Sequence, residues 1–184
     1  MLTLWDLVLL PAAKMLAKRI AAANKPRKPA RRTKKASTPA AAPARRAKGP
    51  AAARYDEMTA KMLEQYGVRC RKWRSSMSGI AWQVEYRDGS VARLIEAPRP
   101  RGPMSAAVFL HEIGHHAIGF NTYSPRCLEE YHAWRFAMQE MDRWGLAVTD
   151  RVKTRMTRSL QYAVAKAKRR GIKRLPPELE GYGG

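Results

Sequence analysis

Apolar positions along the chain fall into blocks whose period changes from one segment to the next. In "MLTLWDLVLLPAAKMLAKRIAAANK", Trp5, Val8, Leu9, Ala12, Met15, Leu16 and Ile20 recur at helical spacing, with Lys14, Lys18 and Arg19 beside or opposite them. That pattern predicts an amphipathic helix over 1–24, able to pack on the domain, on a protein partner or on a membrane surface. Asp6 and Pro11 interrupt the run, which is too short to span a bilayer, and its lysines follow the apolar residues rather than precede them as in an export signal. From 26 to 53 the periodicity vanishes. "PRKPARRTKKASTPAAAPARRAKGPAAA" has no aromatic or large aliphatic side chain whose burial could offset the entropy of ordering it. The expectation over 25–54 is a disordered basic linker rich in alanine and proline.

Periodicity resumes at Tyr55. Tyr55, Met58, Met62 and Tyr66 lie at helical spacing with Leu63 alongside, and Gly67 is placed to stop the helix. Alternation then takes over in "VRCRKW" and "IAWQVEYRDGSVARLIEA". Ile80, Trp82, Val84 and Tyr86 share one parity, and Arg87-Asp88-Gly89-Ser90 is a turn signal before "VARLIE". Two or three antiparallel strands are expected, the last over 91–96. "PRPRGP" breaks the structure, and Ser105 reads as the N-cap of the next helix. Further helices are expected over about 127–144 and 149–170, the latter ended by Gly171. The fold class is therefore α+β, a small antiparallel sheet packed on helices over 55–175, followed by a flexible tail over 176–184.

Charge adds a partner to this outline. Lysine and arginine number 36 against 15 acids, a formal net charge of +21. Residues 1–54 hold 14 basic side chains and one acid, Asp6. Such an arm is attracted to polyanions, because neutralised phosphates release their condensed counterions. Nucleic acid is thus an expected partner of the arm, with a simple spacer as the plainer alternative. Cys70 and Cys127 form neither a CxxC pair nor a disulfide framework. Two reduced thiols favour a cytoplasmic chain.

The chemistry concentrates in "FLHEIGHHAIGF". Three of the chain's four histidines fall within the six residues of "HEIGHH". His111 and His115 are one helical turn apart, so both imidazoles leave the same face and can bind one zinc ion. Glu112 follows the first ligand directly, where it can act as general base on a water acidified by the metal. Shuffling four histidines and ten glutamates over this length would give HExxH about once in three hundred trials, so the pattern is informative. Apolar Val108, Phe109, Leu110, Ile113 and Ile118 bury the helix. His116 points off the ligand face. A catalytic zinc takes a third protein ligand, and "CLEEYHAWRFAMQEMDRW" offers it. Glu130, Ala133, Ala137 and Met141 form one stripe whose small residues allow close approach of the two helices. Glu130 is the expected third ligand, with Glu129 and His132 as alternatives. Tyr123, Tyr131 and His132 are the candidates to polarise a substrate carbonyl.

"HEIGHH" followed by "EEYHAW" resembles the gluzincin arrangement, in which a glutamate on the next helix completes HExxH. The Glu130-to-Ala133 spacing is similar to that of the small metallopeptidases of the ImmA/IrrE type, over about 91–145. The resemblance implies His111, His115 and Glu130 as zinc ligands, Glu112 as the catalytic base, and a zincin-like metallopeptidase domain over 55–175. It further implies that the strand before the active helix binds a protein or peptide substrate as an added strand. The pattern departs from the family at Trp134, where Asp or Asn often follows the alanine. The expected function is zinc-dependent peptide hydrolysis, localised to nucleic acid by the basic arm. The alternative is a non-catalytic nucleic-acid-binding or structural protein with an architectural zinc site.

Overall fold

Residues 80–98 form the hairpin that their alternation predicts. In the computed structural model, which describes residues 49–183, β2 (Ile80–Glu85) pairs antiparallel with β3 (Val91–Pro98), and β1 (Val68–Arg74) precedes them. The expected helix over 1–24 and nearly all of the basic linker lie outside the described residues. The hairpin turn closes with Tyr86 N–H donating to the Ser90 carbonyl at 2.8 Å, while Asp88 accepts from the Ser90 amide and hydroxyl. Gly89 supplies the positive φ, 79°, that this turn requires.

The expectation of an all-antiparallel sheet is corrected by β1. The strand order is β1-β3-β2, and β1 runs parallel to β3, so the sheet is mixed. The physical reason lies in composition. β3 carries Ile95 and Ala97, both fully buried, and takes the centre, where both of its edges are paired. β1, with Arg69, Arg71, Lys72 and Arg74, takes an outer position where its charges reach water. Residues 75–79 therefore carry the chain past the end of β3 rather than through a tight turn.

Among the described residues, four α-helices accompany this sheet: α1 (Pro50–Gln65), α2 (Pro103–Ile118), α3 (Arg126–Arg143) and α4 (Asp150–Arg169). α1 begins inside the segment expected to be linker. Pro50 occupies its first turn and Ala51, Ala52 and Ala53 propagate it. Gly67, at φ 58°, stops it as read from the sequence. Gly102, not Ser105, caps α2. Ser105 sits three residues further in, and its Oγ accepts from the Arg101 and Gly102 amides at 3.0 and 3.2 Å. At the other end of the chain, residues expected to be loose form a 3-10 helix, Pro177–Tyr182, because Leu179 is fully buried in the core.

α2 lies at the centre of the described domain. Every residue from Ser105 to His116 is buried, as a helix apolar on all sides must be. It packs between β3 and α3. Met58 and Met62 of α1 and Val152, Leu160 and Val164 of α4 complete the core. Among the described residues, no helix is long and apolar enough to cross a membrane. Cys70 and Cys127 are both free.

Candidate metal centre

The one-turn spacing of His111 and His115 aims both rings at α3, and Glu130 meets them there. Glu130 Oε2 lies 3.4 Å from His111 Nε2 and 3.8 Å from His115 Nε2. One ligand atom from each of the three residues falls within 4.8 Å of the others. Two ligands bonded at ~2.0–2.1 Å to one ion at a tetrahedral angle stand about 3.4 Å apart, so the spacing fits a shared metal ion. Two imidazole nitrogens and a carboxylate oxygen also form a suitable donor set. These three residues could hold a metal ion.

What brings Glu130 so near is the absence of side chain at the helix crossing. A Cβ at Gly114 would stand 2.8 Å from the Ala133 carbonyl oxygen and 3.2 Å from its Cα. Ala133, Ala137 and Met141 are fully buried along the stripe read from the sequence. The glycine of "HEIGHH" thus sets the helix separation, and that separation sets the ligand distances.

The two alternatives for third ligand have other places. Glu129, 1% exposed, sits at the back of the His115 ring, with Oε1 3.3 Å from Nδ1 and no other partner for either atom. Its Oε2 accepts from the Asn121 amide at 3.0 Å. It is therefore placed to orient the His115 ring, as carboxylates behind metal-binding imidazoles commonly do. His132 stacks on Tyr123, ring centroids 3.8 Å apart, and is not in the cluster. Among the described residues, His111 has no carboxylate behind it. Its ring instead stacks on buried Trp134, ring centroids 4.5 Å apart, so Trp134 holds the His111 imidazole in place. His116, off the ligand face as expected, is buried and donates from Nε2 to the Leu94 carbonyl at 3.1 Å, fastening α2 to β3.

Burial and charge set the electrostatics. Burial is the largest influence on the Glu112 carboxyl and pushes its pKa up to about 7. The His111 imidazole is pulled below its ordinary value, mainly by burial, which outweighs Glu130. Burial pulls His115 down as well, but Glu129 at its Nδ1, with Glu130 and Glu112 nearby, raises it overall. Glu112 is not in the ligand cluster. Its carboxylate occupies the space that a side chain at residue 79 would fill, since a Cβ on Gly79 would overlap Glu112 Oε1.

These groups line a cleft of about 660 Å³. Ser78, Gly79, Ile80 and Ala81 form one side, and Arg155, Tyr162 and Lys166 come from α4 and Arg170 from its C-cap. Two expectations change here. The strand before the active helix, β3, has both edges paired and cannot accept another strand. β2 is the outer strand beside the cleft, and Ile80 at its start is 47% exposed. Nor do Tyr123, Tyr131 or His132 line the cleft, whereas Arg155 does. Its guanidinium donates to the Met77 carbonyl at 3.2 Å and its charge is felt at both His111 and Glu112. Sequence reading missed Gly79, Arg155 and the orienting role of Glu129. Only Glu129 left a signal, its position beside Glu130 in a helix phase uncertain by one residue. Comparison with protein families, with curated proteins and with solved structures gives no match to this chain.

Proposed function

We propose that this chain is a zinc-dependent peptidase of gluzincin type, with His111, His115 and Glu130 as ligands and Glu112 as general base. One observation carries the reading. Three convergent donors open onto a cleft that also holds a buried, ionisable group, Glu112, outside the donor set. A structural zinc site would be closed by four protein ligands, so the open arrangement favours catalysis over an architectural role.

Zinc bound there supplies Lewis acidity, acidifying water and polarising the scissile carbonyl. Glu112 takes a proton from the attacking water as the new C–O bond forms. It then delivers that proton to the amine as the C–N bond breaks, so the carboxylate is regenerated each cycle. A carboxyl held near pH 7 by burial suits both halves of that exchange. Gly79 leaves it room. The outer edge of β2 binds the substrate backbone as an added strand, and Arg155 donates to the carbonyl oxygen as it gains charge. The basic arm, outside the described residues, concentrates the enzyme on nucleic acid or another polyanion.

The test pairs metal analysis with hydrolysis. Wild type and Glu112→Gln should carry equal, near-stoichiometric zinc, while the substitution lowers turnover on a mixed peptide library by about 10²–10⁴. A zinc-replete wild type that cleaves nothing in the library, or a Gln variant with wild-type turnover, would refute the reading.

A further inference from the structure

One wall of the cleft carries charges that peptide-bond chemistry leaves unused. On α4 and its C-cap, Arg155, Ser159, Tyr162, Lys166 and Arg170 recur at intervals of four, three, four and four, so one face of the helix presents them all to the cleft. Lys166 and Arg170 are exposed, and neither pairs with a described carboxylate. Arg126, from the first turn of α3, joins the same lining. Among the described residues, the acids lining the cleft are Glu112 and Glu130 alone. A divalent cation offsets those two, which leaves the cleft with a net positive field.

Resting on the peptidase reading, we infer that the substrate is an acidic peptide segment whose Asp or Glu side chains pair with Lys166 and Arg170. Arg155 stays at the reacting carbonyl. Lys166 and Arg170 lie 11 and 15 residues further along the helix, roughly 16 and 22 Å at 1.5 Å per residue. An extended substrate rises about 3.3 Å per residue, which places its acidic positions about five to seven residues from the bond cut. Nucleic acid is the less suitable occupant of this wall. The basic side chains are interleaved with Ala163 and Ala167 inside a cleft, whereas Arg151 and Arg169 are exposed to solvent outside the cleft lining.

The zinc-loaded full-length chain carrying Glu112→Gln allows binding to be read without cleavage. Fluorescence anisotropy with labelled twelve-residue acidic, neutral and basic peptides should show the acidic one bound at least about tenfold more tightly than the neutral one at low salt. Lys166→Glu with Arg170→Glu should abolish that preference. Arg151→Glu with Arg169→Glu, the same change in net charge outside the cleft, should leave it nearly intact. Equal loss in both pairs, or no preference in the parent, overturns the inference. So does a cleft pair that weakens a labelled oligonucleotide while sparing the acidic peptide. The same peptides are then offered to the chain with Glu112 intact. Charge-selective binding without cleavage of any peptide would remove the peptidase reading and leave acidic-peptide recognition standing. Equal kcat/KM on acidic and neutral peptides would remove the substrate class and leave the peptidase.

Discussion

Gly114→Ala tests whether the helix crossing governs the metal centre. The added methyl would stand 2.8 Å from the Ala133 carbonyl oxygen and 3.2 Å from Phe136 Cδ1. Ordinary contact begins at 3.4 Å, so α3 must retreat by about 0.6 Å at Ala133. Overpacking of this kind costs about 1–3 kcal/mol. Replacing glycine inside a helix returns about 1 kcal/mol, which leaves a net loss of roughly 0–2 kcal/mol. For a domain of this size that lowers Tm by only a few degrees. The metal should suffer more than the fold. Glu130 lies one turn before Ala133 on the same helix and retreats with it, whereas metal–ligand distances tolerate only about ±0.2 Å. Zinc affinity, measured by competition with a chromophoric chelator, should fall at least about tenfold while Tm of the metal-free protein moves little. Wild-type affinity in Gly114→Ala would show that the crossing does not set the ligand geometry.

Glu129→Gln should weaken zinc binding by about 10–100-fold without unfolding the protein, because the carboxylate behind His115 is lost; chelator competition reads it, and unchanged affinity would argue against an orienting role. In the metal-free protein the folded pKa of Glu112, about 7, lies above its ordinary 4.5, so its protonated form contributes stability below pH 4.5 that is lost as pH rises through 7, up to about 3 kcal/mol. Denaturant unfolding at pH 4.5 and 8 should show Glu112→Gln gaining on wild type at the higher pH, and a pH-independent difference would contradict this. Deleting 26–48, which ends before the Gly49 cap of α1, should leave Tm of the core unchanged yet weaken DNA binding and flatten its salt dependence; unaltered binding would reduce that segment to a spacer.

Local features of the site were legible because helical spacing determines them. The i, i+4 histidines, Glu112 between them and the small-residue stripe leading from Glu130 each follow from a single helix and its phase. The hairpin was legible for the same reason, since Arg87-Asp88-Gly89-Ser90 encodes its own turn. Strand order was not. Which strand holds the centre depends on both edges finding partners, and β1 reaches β3 only after the chain has passed over it. The same crossing carries Gly79 onto Glu112 across 33 positions of sequence, a contact no local pattern announces. Leu179 shows the limit at the other end of the scale. A lone apolar residue between prolines and glycines has no period, yet its full burial orders the tail.

The charge balance of the site joins these observations. Glu112, Glu129 and Glu130 place three carboxyl groups around two imidazoles between the apolar helix α2 and the facing side of α3. Without a cation, burial leaves Glu112 holding its proton toward neutral pH, the carboxylates of Glu129, Glu130 and Glu112 draw a proton onto His115 against the pull of its burial, and buried His111 resists one. A divalent ion on His111, His115 and Glu130 reverses the tendencies of Glu112 and His115 and suits that of His111, since it requires neutral imidazoles and favours an ionised Glu112 nearby. Binding must therefore release protons, from His115 and from the fraction of Glu112 still protonated. Zinc affinity should consequently rise with pH between about 6 and 8. Isothermal titration in buffers of different ionisation enthalpy counts the protons released. Their number should fall in Glu112→Gln by the share that the carboxyl contributes. Zinc binding without proton release at pH 6.5 would mean that these residues do not ionise together around one ion.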